Sequence, residues 1–477
     1  MRRTATAATS ASTAARGAGT ATIQTWRRRT GQRGMVALAI AVGVVAGAGA
    51  IAFRYLIIGL TEVFSGHRDY SAAGHAGNPH VPALGMWFVV LAPMLGGLLY
   101  GPLVARFAPE ARGHGVPEVM LAVAEHGGRI RPQVPLVKAL ASALCIGSGG
   151  SVGREGPIVQ IGAALGSTIG ALAGMSERHL RVLVACGAAG GISATFNAPI
   201  AGVFFALEVI LGDFAAEAVA PVVLSSVTAA AIGRAAFGNA SFLQLPTFAL
   251  SSPLQLVLYA GLGALAGAVG VVFIRGLYGA GDLADRIWRG PEWARPAAGG
   301  ALLGLLLLAV PQMYGVGYPV LSRAVEGHYL IGFVLLLLIA KLAATSLTIA
   351  IGGSGGVFAP SLFMGAMLGS GFGQAAGMLA PGLAPASGAY ALAGMGAVFA
   401  GAARAPMTAV IILFELTGQY AIILPLMVAV VAATTVSSRL SRDTIYTLKL
   451  RRRGFTVDRP RVVSVMRSMP VSAAMTP

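Results

Sequence analysis

Charged residues are scarce in this sequence, and their scarcity excludes an ordinary soluble protein. Of the 477 residues, 11% are charged and 56% are hydrophobic. Soluble globular domains carry about 25% charged residues, so this chain lacks the polar side chains needed to cover a large aqueous surface. We therefore expect most of it to lie within a lipid bilayer.

Cysteine is nearly absent as well. The two cysteines, Cys145 and Cys186, lie in apolar stretches and predict buried thiols rather than a disulfide framework. No metal-ligand cluster and no nucleophile–base constellation stands among the apolar segments, which argues against an enzyme. We predict no cofactor and no metal.

Positive charge, by contrast, is in excess, with a formal net charge of +17 that is concentrated at the two ends of the apolar region. Such clusters mark the cytoplasmic side of membrane proteins. We expect both termini in the cytoplasm, lipid headgroups rather than nucleic acid as partners, and a plasma membrane, here a prokaryotic inner membrane. The clustered residues are Arg27, Arg28, Arg29 and Arg33, then Arg439, Arg442, Lys449, Arg451, Arg452 and Arg453.

The apolar runs differ in length and are interrupted by glycine. Residues 35–60 and 81–104 are long enough for a bilayer crossing of about 20 residues, whereas residues 301–310 are not. Broken helices occur at membrane depth only inside protein or beside a wet cavity. The sequence predicts an all-α polytopic membrane protein with a polar interior, preceded by a disordered, basic, cytoplasmic segment over residues 1–32.

Two stretches of the chain repeat each other. Pairing residue n with residue n+203 over residues 149–170 gives 11 identities in 22 positions, and Lys138 pairs with Lys341 at the same offset. An offset of 207 pairs Glu208 with Glu415. Collinear matches of this kind indicate two homologous halves.

We expect the halves to cover about residues 35–235 and 250–445 of a membrane domain over residues 33–455. Membrane transporters are often built from two halves of inverted topology, with the substrate site at their interface near the bilayer midplane. The same arrangement is expected here.

Each half contains a glycine-rich phrase that ends in proline: SGGSVGREGP at 148–157 and IGGSGGVFAP at 351–360. Proline suits the first turn of a helix, so each phrase delivers a helix N-terminus, whose free N–H groups bind anions. Two inverted copies would form one anion cradle. Glycines that serve only close packing of membrane helices are the alternative that the spacing leaves open.

Only the first phrase contains ionisable residues, Arg154 and Glu155. Charges at membrane depth are costly and usually functional. The Glu155 carboxylate would compete with an anion for the positive field of the helix N-terminus. Protonation would release the side chain from that field, so Glu155 would act as a gate. The alternative is a fixed ion pair between Arg154 and Glu155. Lys138 is expected to offset buried carboxylates or add positive potential near an anion, and Glu118 and Glu208 are expected to be structural.

These phrases, in their order, resemble those of the CLC family of chloride channels and chloride/proton antiporters over about residues 35–455. The family's G-[KR]-E-G-P phrase is similar to residues 153–157, its G-x-F-x-P phrase to residues 356–360, and its G-S-G-I-P phrase to residues 113–117. Tyr446, in DTIYTLKLRRRG, looks like the family's anion-facing tyrosine. The resemblance implies a CLC-type fold of inverted repeats with re-entrant helices, and a homodimer with one pore in each subunit.

The resemblance also implies chloride, other monovalent anions and protons as the transported ions, and it implies the site residues. Backbone amides, a tyrosine hydroxyl and the His114 position would hold the anions, which are attracted without a countercharge that would trap them. The implied positions are His114, Gly115, Val116, Arg154, Gly156, Val357, Phe358, Ala359 and Tyr446, with Glu155 as the gate.

Two positions depart from the family pattern. His114 replaces the usual serine; its imidazole can donate to an anion, narrow the inner mouth or add pH dependence, or turn toward water and leave binding to the backbone. Val209, beside Glu208, stands where coupled antiporters commonly have an inner proton-carrying glutamate. Valine cannot carry a proton, although Glu208 or water could substitute.

Val209 therefore favours a passive, proton-gated chloride channel. Chloride/proton antiport is the first alternative, and fluoride/proton export is the second. The final residues, 456–477, look like a cytoplasmic linker toward a CBS regulatory pair that the sequence does not contain.

Overall fold

The structure is a computed structural model that describes residues 5–239, 252–380 and 387–455, with side chains from residue 34 onward. Across these ranges the chain folds into α-helices and forms no β-strand. The helices are α1 (Ala5–Ser65), α2 (Phe88–Phe107), α3 (Val116–Ala124), α4 (Val134–Gly147), α5 (Glu155–Leu172), α6 (Glu177–Phe196), α7 (Pro199–Phe205), α8 (Ala216–Phe237), α9 (Gln255–Ile287), α10 (Arg295–Ala309), α11 (Tyr318–Val325), α12 (Ile331–Ala350), α13 (Phe358–Leu379), α14 (Ser387–Ala403), α15 (Pro406–Thr417), α16 (Ile423–Leu440) and α17 (Thr447–Arg452).

Short helical turns of other types connect several of these helices. A π-helical turn, Ala206–Leu211, continues α7. The 3-10 turns are Tyr70–Ala72, Pro82–Trp87, Pro109–Ala111, Pro311–Met313 and Tyr420–Ile422.

The first sixteen helices form two series of eight, α1–α8 and α9–α16, in the same order. The first residue of α5 precedes that of α13 by 203 positions, and the first residue of α7 precedes that of α15 by 207 positions. These are the two offsets at which the sequence repeats. The predicted all-α fold built from two repeats is confirmed.

Helices long and apolar enough to cross a membrane are interspersed with shorter ones, as the sequence predicted. In the described ranges the long segments are Gly34–Ser65, Pro82–Phe107, Glu177–Phe196, Ala216–Phe237, Gln255–Ile287, Ile331–Ala350, Phe358–Leu379 and Tyr420–Leu440. The shorter apolar helices are Val134–Gly147, Pro199–Leu211, Arg295–Ala309, Ser387–Ala403 and Pro406–Thr417.

The same helix break occurs in both halves. Asn197 and Arg404, which follow α6 and α14, have positive φ angles of 58° and 51°. A left-handed residue ends a helix, and a proline, at 199 or 406, starts the next helix two residues later. The break therefore turns what would be one long helix into two shorter ones in each repeat.

Glycine allows the helices of each repeat to pack closely. A Cβ atom at Gly162 of α5 would collide with the backbone of Gly187 of α6, and one at Gly365 of α13 would collide with the backbone of Gly394 of α14. The close-packing interpretation of the glycines therefore holds within these helices. It also applies within the glycine phrases, where a Cβ atom at Gly156 would lie 2.2 Å from the carbonyl oxygen of His114.

The N-terminal segment differs from the prediction. Helix α1 begins at Ala5 and so includes most of residues 1–32, for which the sequence predicted disorder. Alanine has the highest helix propensity and recurs throughout this stretch, which accounts for a helical backbone. The predicted linker at residues 456–477 lies outside the described residues.

Candidate functional site

The two glycine phrases meet in the structure. The N–H of Gly153 donates to the carbonyl of Gly356 at 2.7 Å, and the N–H of Gly356 donates to the carbonyl of Gly153 at 2.6 Å. A Cβ atom at Gly356 would lie 2.6 Å from the backbone nitrogen of Gly156, so this contact requires glycine. Because α5 and α13 begin just after the bridge, the two helix N-termini lie next to each other.

A third loop joins the same junction. The N–H of Gly113 donates to the carbonyl of Gly353 at 3.1 Å, and the N–H of Gly355 donates to the carbonyl of Gly113 at 3.3 Å. Helix α3 begins at Val116, immediately after Gly115 with its positive φ of 81°. The loops in front of three helices therefore meet, and the first N–H groups of a helix have no acceptors inside that helix.

The Glu155 side chain fills the space between these N-termini and is only 1% exposed. Its Oε2 accepts a hydrogen bond from the N–H of Ala359, at the start of α13, at 3.4 Å. Its Oε1 accepts a hydrogen bond from the hydroxyl of Tyr318, at the start of α11, at 2.5 Å. The guanidinium carbon of Arg154 lies 5.2 Å from the centroid of the Tyr318 ring. The carboxylate thus occupies the field of a helix N-terminus, which favours negative charge.

The His114 side chain is buried between two tyrosines. The centroid of its ring lies 6.1 Å from that of Tyr446, and its Nε2 lies 3.4 Å from the hydroxyl of Tyr278. That hydroxyl donates to the carbonyl of Ile445 at 2.6 Å. The Nδ1 of His114 is buried and has no hydrogen-bond partner among the described residues. The ring is therefore directed into the protein, beside Tyr446, rather than toward water.

Lys138 is fully buried and holds the loop in front of α3. Its Nζ donates to the carbonyls of Ala111 and Gly113 at 2.8 and 2.7 Å. Since these oxygens belong to the chain just before the His114 phrase, the ammonium fixes the start of that phrase. Its charge lies close to the junction without a direct contact to Glu155.

Lys341, the repeat partner of Lys138, does the same in the second half. Its buried Nζ donates to the carbonyls of Gly315 and Val316 at 3.2 and 3.0 Å, just before α11. It also donates to the Oγ of Ser151, in the first glycine phrase, at 3.0 Å. This lysine therefore links the loop that carries Tyr318 to the loop that carries Glu155.

A basic cavity of about 580 Å³ lies next to Tyr446. Val209, in the π-helical turn, is buried and lies in its wall together with Glu208. The charged residues of the wall are Arg181, Arg404, Arg442, Arg451, Glu208 and Asp443. Tyr446, for which the resemblance implied an anion contact, thus lines this positively charged cavity, called the vestibule below.

Glu208 caps a helix of the other half. Its carboxylate accepts hydrogen bonds from the N–H groups of Met407 and Thr408 at 3.2 and 2.8 Å and from the Thr408 hydroxyl at 2.7 Å, at the start of α15. Its repeat partner Glu415 accepts from the N–H groups of Ile200 and Ala201, at 3.0 and 2.6 Å, at the start of α7. The two halves therefore cap each other reciprocally.

Comparison with known proteins agrees with this geometry. The family model described as "Voltage gated chloride channel" matches residues 96–438. The chain belongs to this family, which is the CLC family. A ClcB-like protein of Ralstonia nicotianae is 35% identical over 88% of this chain and 97% of its own length. The H(+)/Cl(-) exchange transporter ClcA of Vibrio parahaemolyticus is 37% identical over 73% of this chain and 76% of its own length.

Two solved structures share the fold. A slow cyanobacterial Cl-/H+ antiporter superposes with a TM-score of 0.78 at 27% identity, covering 88% of this chain and 97% of its own. A CLC-type fluoride/proton antiporter superposes with a TM-score of 0.72 at 26% identity, covering 87% of this chain and 97% of its own.

In this CLC protein, all but one of the predicted site residues fall into two groups. Most lie at the junction of the helix N-termini or directly beside it: His114, Gly115, Val116, Arg154, Glu155, Gly156, Val357, Phe358, Ala359, Lys138 and Tyr446. Glu208 and Val209 lie in the vestibule wall instead. The roles of all these positions in binding or gating stay predictions.

Glu118 belongs to neither group. Its carboxylate pairs with Lys449 at 2.9 Å and with Arg453 at 2.8 Å, so it joins α3 to the chain around α17. Burial lowers the pKa of Lys449, and the adjacent Glu118 charge acts against that shift. This ion pair ties the helix that follows His114 to the helix that follows Tyr446.

Sequence reasoning missed the contact residues Tyr318 and Tyr278. No periodicity or motif marks either, because each reaches its partner across the repeat interface, 163 and 164 residues along the chain. The roles of Lys341 and Glu415 were also missed, although the repeat offsets had already paired them with Lys138 and Glu208.

Proposed function

We propose that the protein transports chloride across the membrane through a pore in each subunit, with Glu155 as the gate. The observation that carries the proposal is the buried Glu155 carboxylate, which accepts a hydrogen bond from the Ala359 N–H at the start of α13. A carboxylate there occupies the place that suits a free anion. Chloride and the ionised side chain therefore compete, and protonation of Glu155 releases the place to chloride.

In this proposal, peptide N–H groups coordinate the ion. The amides of Val357 and Phe358 face the central position, because the first N–H groups of α13 have no acceptors within the helix. The Tyr446 hydroxyl and the His114 ring, whose centroids are 6.1 Å apart, line its inner side. Amides of Arg154 and Gly156, at the start of α5, serve an outer position.

The arrangement of carboxylates favours a passive, proton-gated channel. Val209 cannot carry a proton. The vestibule wall in which it lies contains two carboxylates, Glu208 and Asp443, and both have hydrogen-bond or ion-pair partners. Glu208 caps α15, and Asp443 pairs with Arg451 at 2.6 Å. Among the described residues of this wall, no carboxylate without such a partner remains to carry protons toward Glu155.

Chloride/proton antiport is the second candidate. It is favoured by the relatives, since the Vibrio protein is named an exchange transporter and the cyanobacterial structure is that of an antiporter. Fluoride/proton export comes third, supported by the similarity to a fluoride/proton antiporter structure.

Reversal potentials under opposed chloride and proton gradients distinguish these candidates. A potential in reconstituted membranes that follows chloride alone supports the channel. A shift of the potential with the proton gradient, at constant chloride, contradicts it and supports exchange. Replacing chloride by fluoride on one side tests the third candidate in the same membranes.

We also propose a homodimer in a prokaryotic inner membrane with both termini in the cytoplasm. Helices α7, α8, α15 and α16 expose large apolar side chains, which a second subunit or lipid can cover. These side chains include Ile200, Val227, Met407, Leu424, Met427 and Val431. Photobleaching of singly labelled protein at low density in vesicles should occur in two steps; single steps throughout would contradict the dimer.

A further inference from the structure

Tyr318 contacts the gate residue from the opposite half of the protein. Its hydroxyl donates to one oxygen of Glu155 at 2.5 Å, while the other oxygen lies 3.4 Å from the N–H of Ala359. A hydrogen bond from a hydroxyl to an ionised carboxylate belongs to the charge-assisted class, which is about twice as strong as a neutral hydrogen bond. Of these two contacts from the second half, the one from Tyr318 is the shorter.

The backbone in front of Tyr318 positions this hydroxyl. Gly317 has a left-handed φ of 87°, and Pro319 lies in the first turn of α11. The buried ammonium of Lys341 donates to the carbonyls of the two residues before Gly317, at 3.2 and 3.0 Å. The backbone at the start of α11 is therefore fixed by contacts that do not involve Glu155.

The first half also packs on this ring. The Arg154 guanidinium carbon lies 5.2 Å from the centroid of the Tyr318 ring, within the range of a cation–π contact. Arg154, which precedes Glu155, thus packs on the ring of Tyr318, whose hydroxyl donates to Glu155. Movement of the Glu155 side chain away from the junction must break the hydrogen bond but not this packing.

We propose that Tyr318 is a latch, a positioning residue that holds ionised Glu155 in the anion position and sets the pH at which the gate opens. The inference rests on the proposed gating function of Glu155. The hydroxyl stabilises the charged side chain in its closed position, and protonation removes the charge that makes this hydrogen bond strong. Without the hydroxyl, chloride displaces Glu155 more easily and a higher pH suffices for opening.

Several elements present charged or titratable groups to Glu155. They are Arg154 before α5, Tyr318 on α11, Lys341 on α12 and Tyr446 before α17, with Arg54 of α1 acting on Arg154 and Asp69 acting on Lys341. The substitution Tyr318→Phe removes one hydroxyl and keeps all of these charges. A change in pH dependence can therefore be assigned to the hydroxyl.

The test is chloride efflux from vesicles that contain the full chain, measured as a function of pH. For Tyr318→Phe we expect the pH of half-maximal flux to rise by about one unit, because a hydrogen bond to a charged group is worth at least about tenfold in an equilibrium. Apparent chloride affinity at neutral pH should rise by a similar factor, since Glu155 competes less. In a Glu155→Gln background the same substitution should change neither quantity.

Tyr314→Phe is the matched control. Tyr314 precedes the same helix and its buried hydroxyl donates to the carbonyl of Gly147 at 2.8 Å, away from Glu155. This variant should keep the wild-type pH profile. If its pH of half-maximal flux rose as much as that of Tyr318→Phe, the latch would be overturned, because the effect would then come from looser packing around the start of α11.

A wild-type pH profile and chloride affinity in Tyr318→Phe would also overturn the latch. If Glu155→Gln still flattens the pH profile in that case, the gating proposal survives. A pH profile that is insensitive to Glu155→Gln would instead remove the proposed gate itself.

Discussion

Replacing Glu155 by glutamine should open the pathway, because the substitution keeps the side-chain shape and removes its charge. Two contributions depend on that charge. The field at the N-terminus of α13 favours an anion by about 1 kcal/mol, and the hydrogen bonds from Tyr318 and Ala359 lose about 1 kcal/mol more when their acceptor becomes neutral. The sum of about 2 kcal/mol corresponds to about a 30-fold change in the ratio of vacant to occupied anion positions.

Chloride efflux from vesicles measures this change. At neutral pH, Glu155→Gln should transport at about the rate that the wild type reaches only in acid, and its rate should be nearly independent of pH. Glu177→Gln is a suitable control, because Glu177 also begins a helix, α6, but is exposed. The control should keep the wild-type rate and pH dependence.

Two results would refute the reasoning about Glu155. One is a Glu155→Gln variant whose flux follows pH as steeply as that of the wild type. The other is an equal effect in Glu177→Gln, which would assign the pH dependence to charge in general rather than to the junction of the helix N-termini.

Three further predictions test other parts of the site. His114→Ser should alter the permeability ratios among chloride, nitrate and fluoride; identical ratios would count against a pore-lining imidazole. Gly356→Ala should yield little folded protein, since its Cβ would lie 2.6 Å from a backbone nitrogen, whereas Gly59→Ala, with nothing within 4 Å, should behave as the wild type in size-exclusion chromatography. Glu208→Gln and Glu415→Gln should each lower the free energy of unfolding by about 1 kcal/mol through a weaker helix cap, which thermal unfolding measures. Loss of proton-coupled flux in Glu208→Gln but not in Glu415→Gln would instead identify Glu208 as a proton carrier.

The reciprocal caps bear on the choice between channel and exchanger. Glu208 and Glu415 make equivalent hydrogen bonds to α15 and α7, so the pair is explained by the repeat and needs no transport role. The capping contacts to Met407 and Thr408 therefore account for Glu208 without a proton-carrying role.

Much of the site could be predicted from the sequence because its determinants are local. A proline after a glycine phrase starts a helix, so the starts of α5 and α13 near residues 157 and 360 followed from a few neighbouring residues. The repeat then paired the two phrases. Their meeting at Gly153 and Gly356 followed from the rule that transporter repeats place the substrate site at their interface.

The hydrogen-bond partners of the buried polar groups were decided only by the tertiary structure. Tyr318 lies 163 residues from Glu155, and Thr408 lies 200 residues from Glu208. Burial obliges each charged group to find a partner, and the sequence shows that such groups exist. Which group becomes the partner depends on how the two halves pack, because the candidate donors are brought within 3 Å by helices that share no local sequence signal.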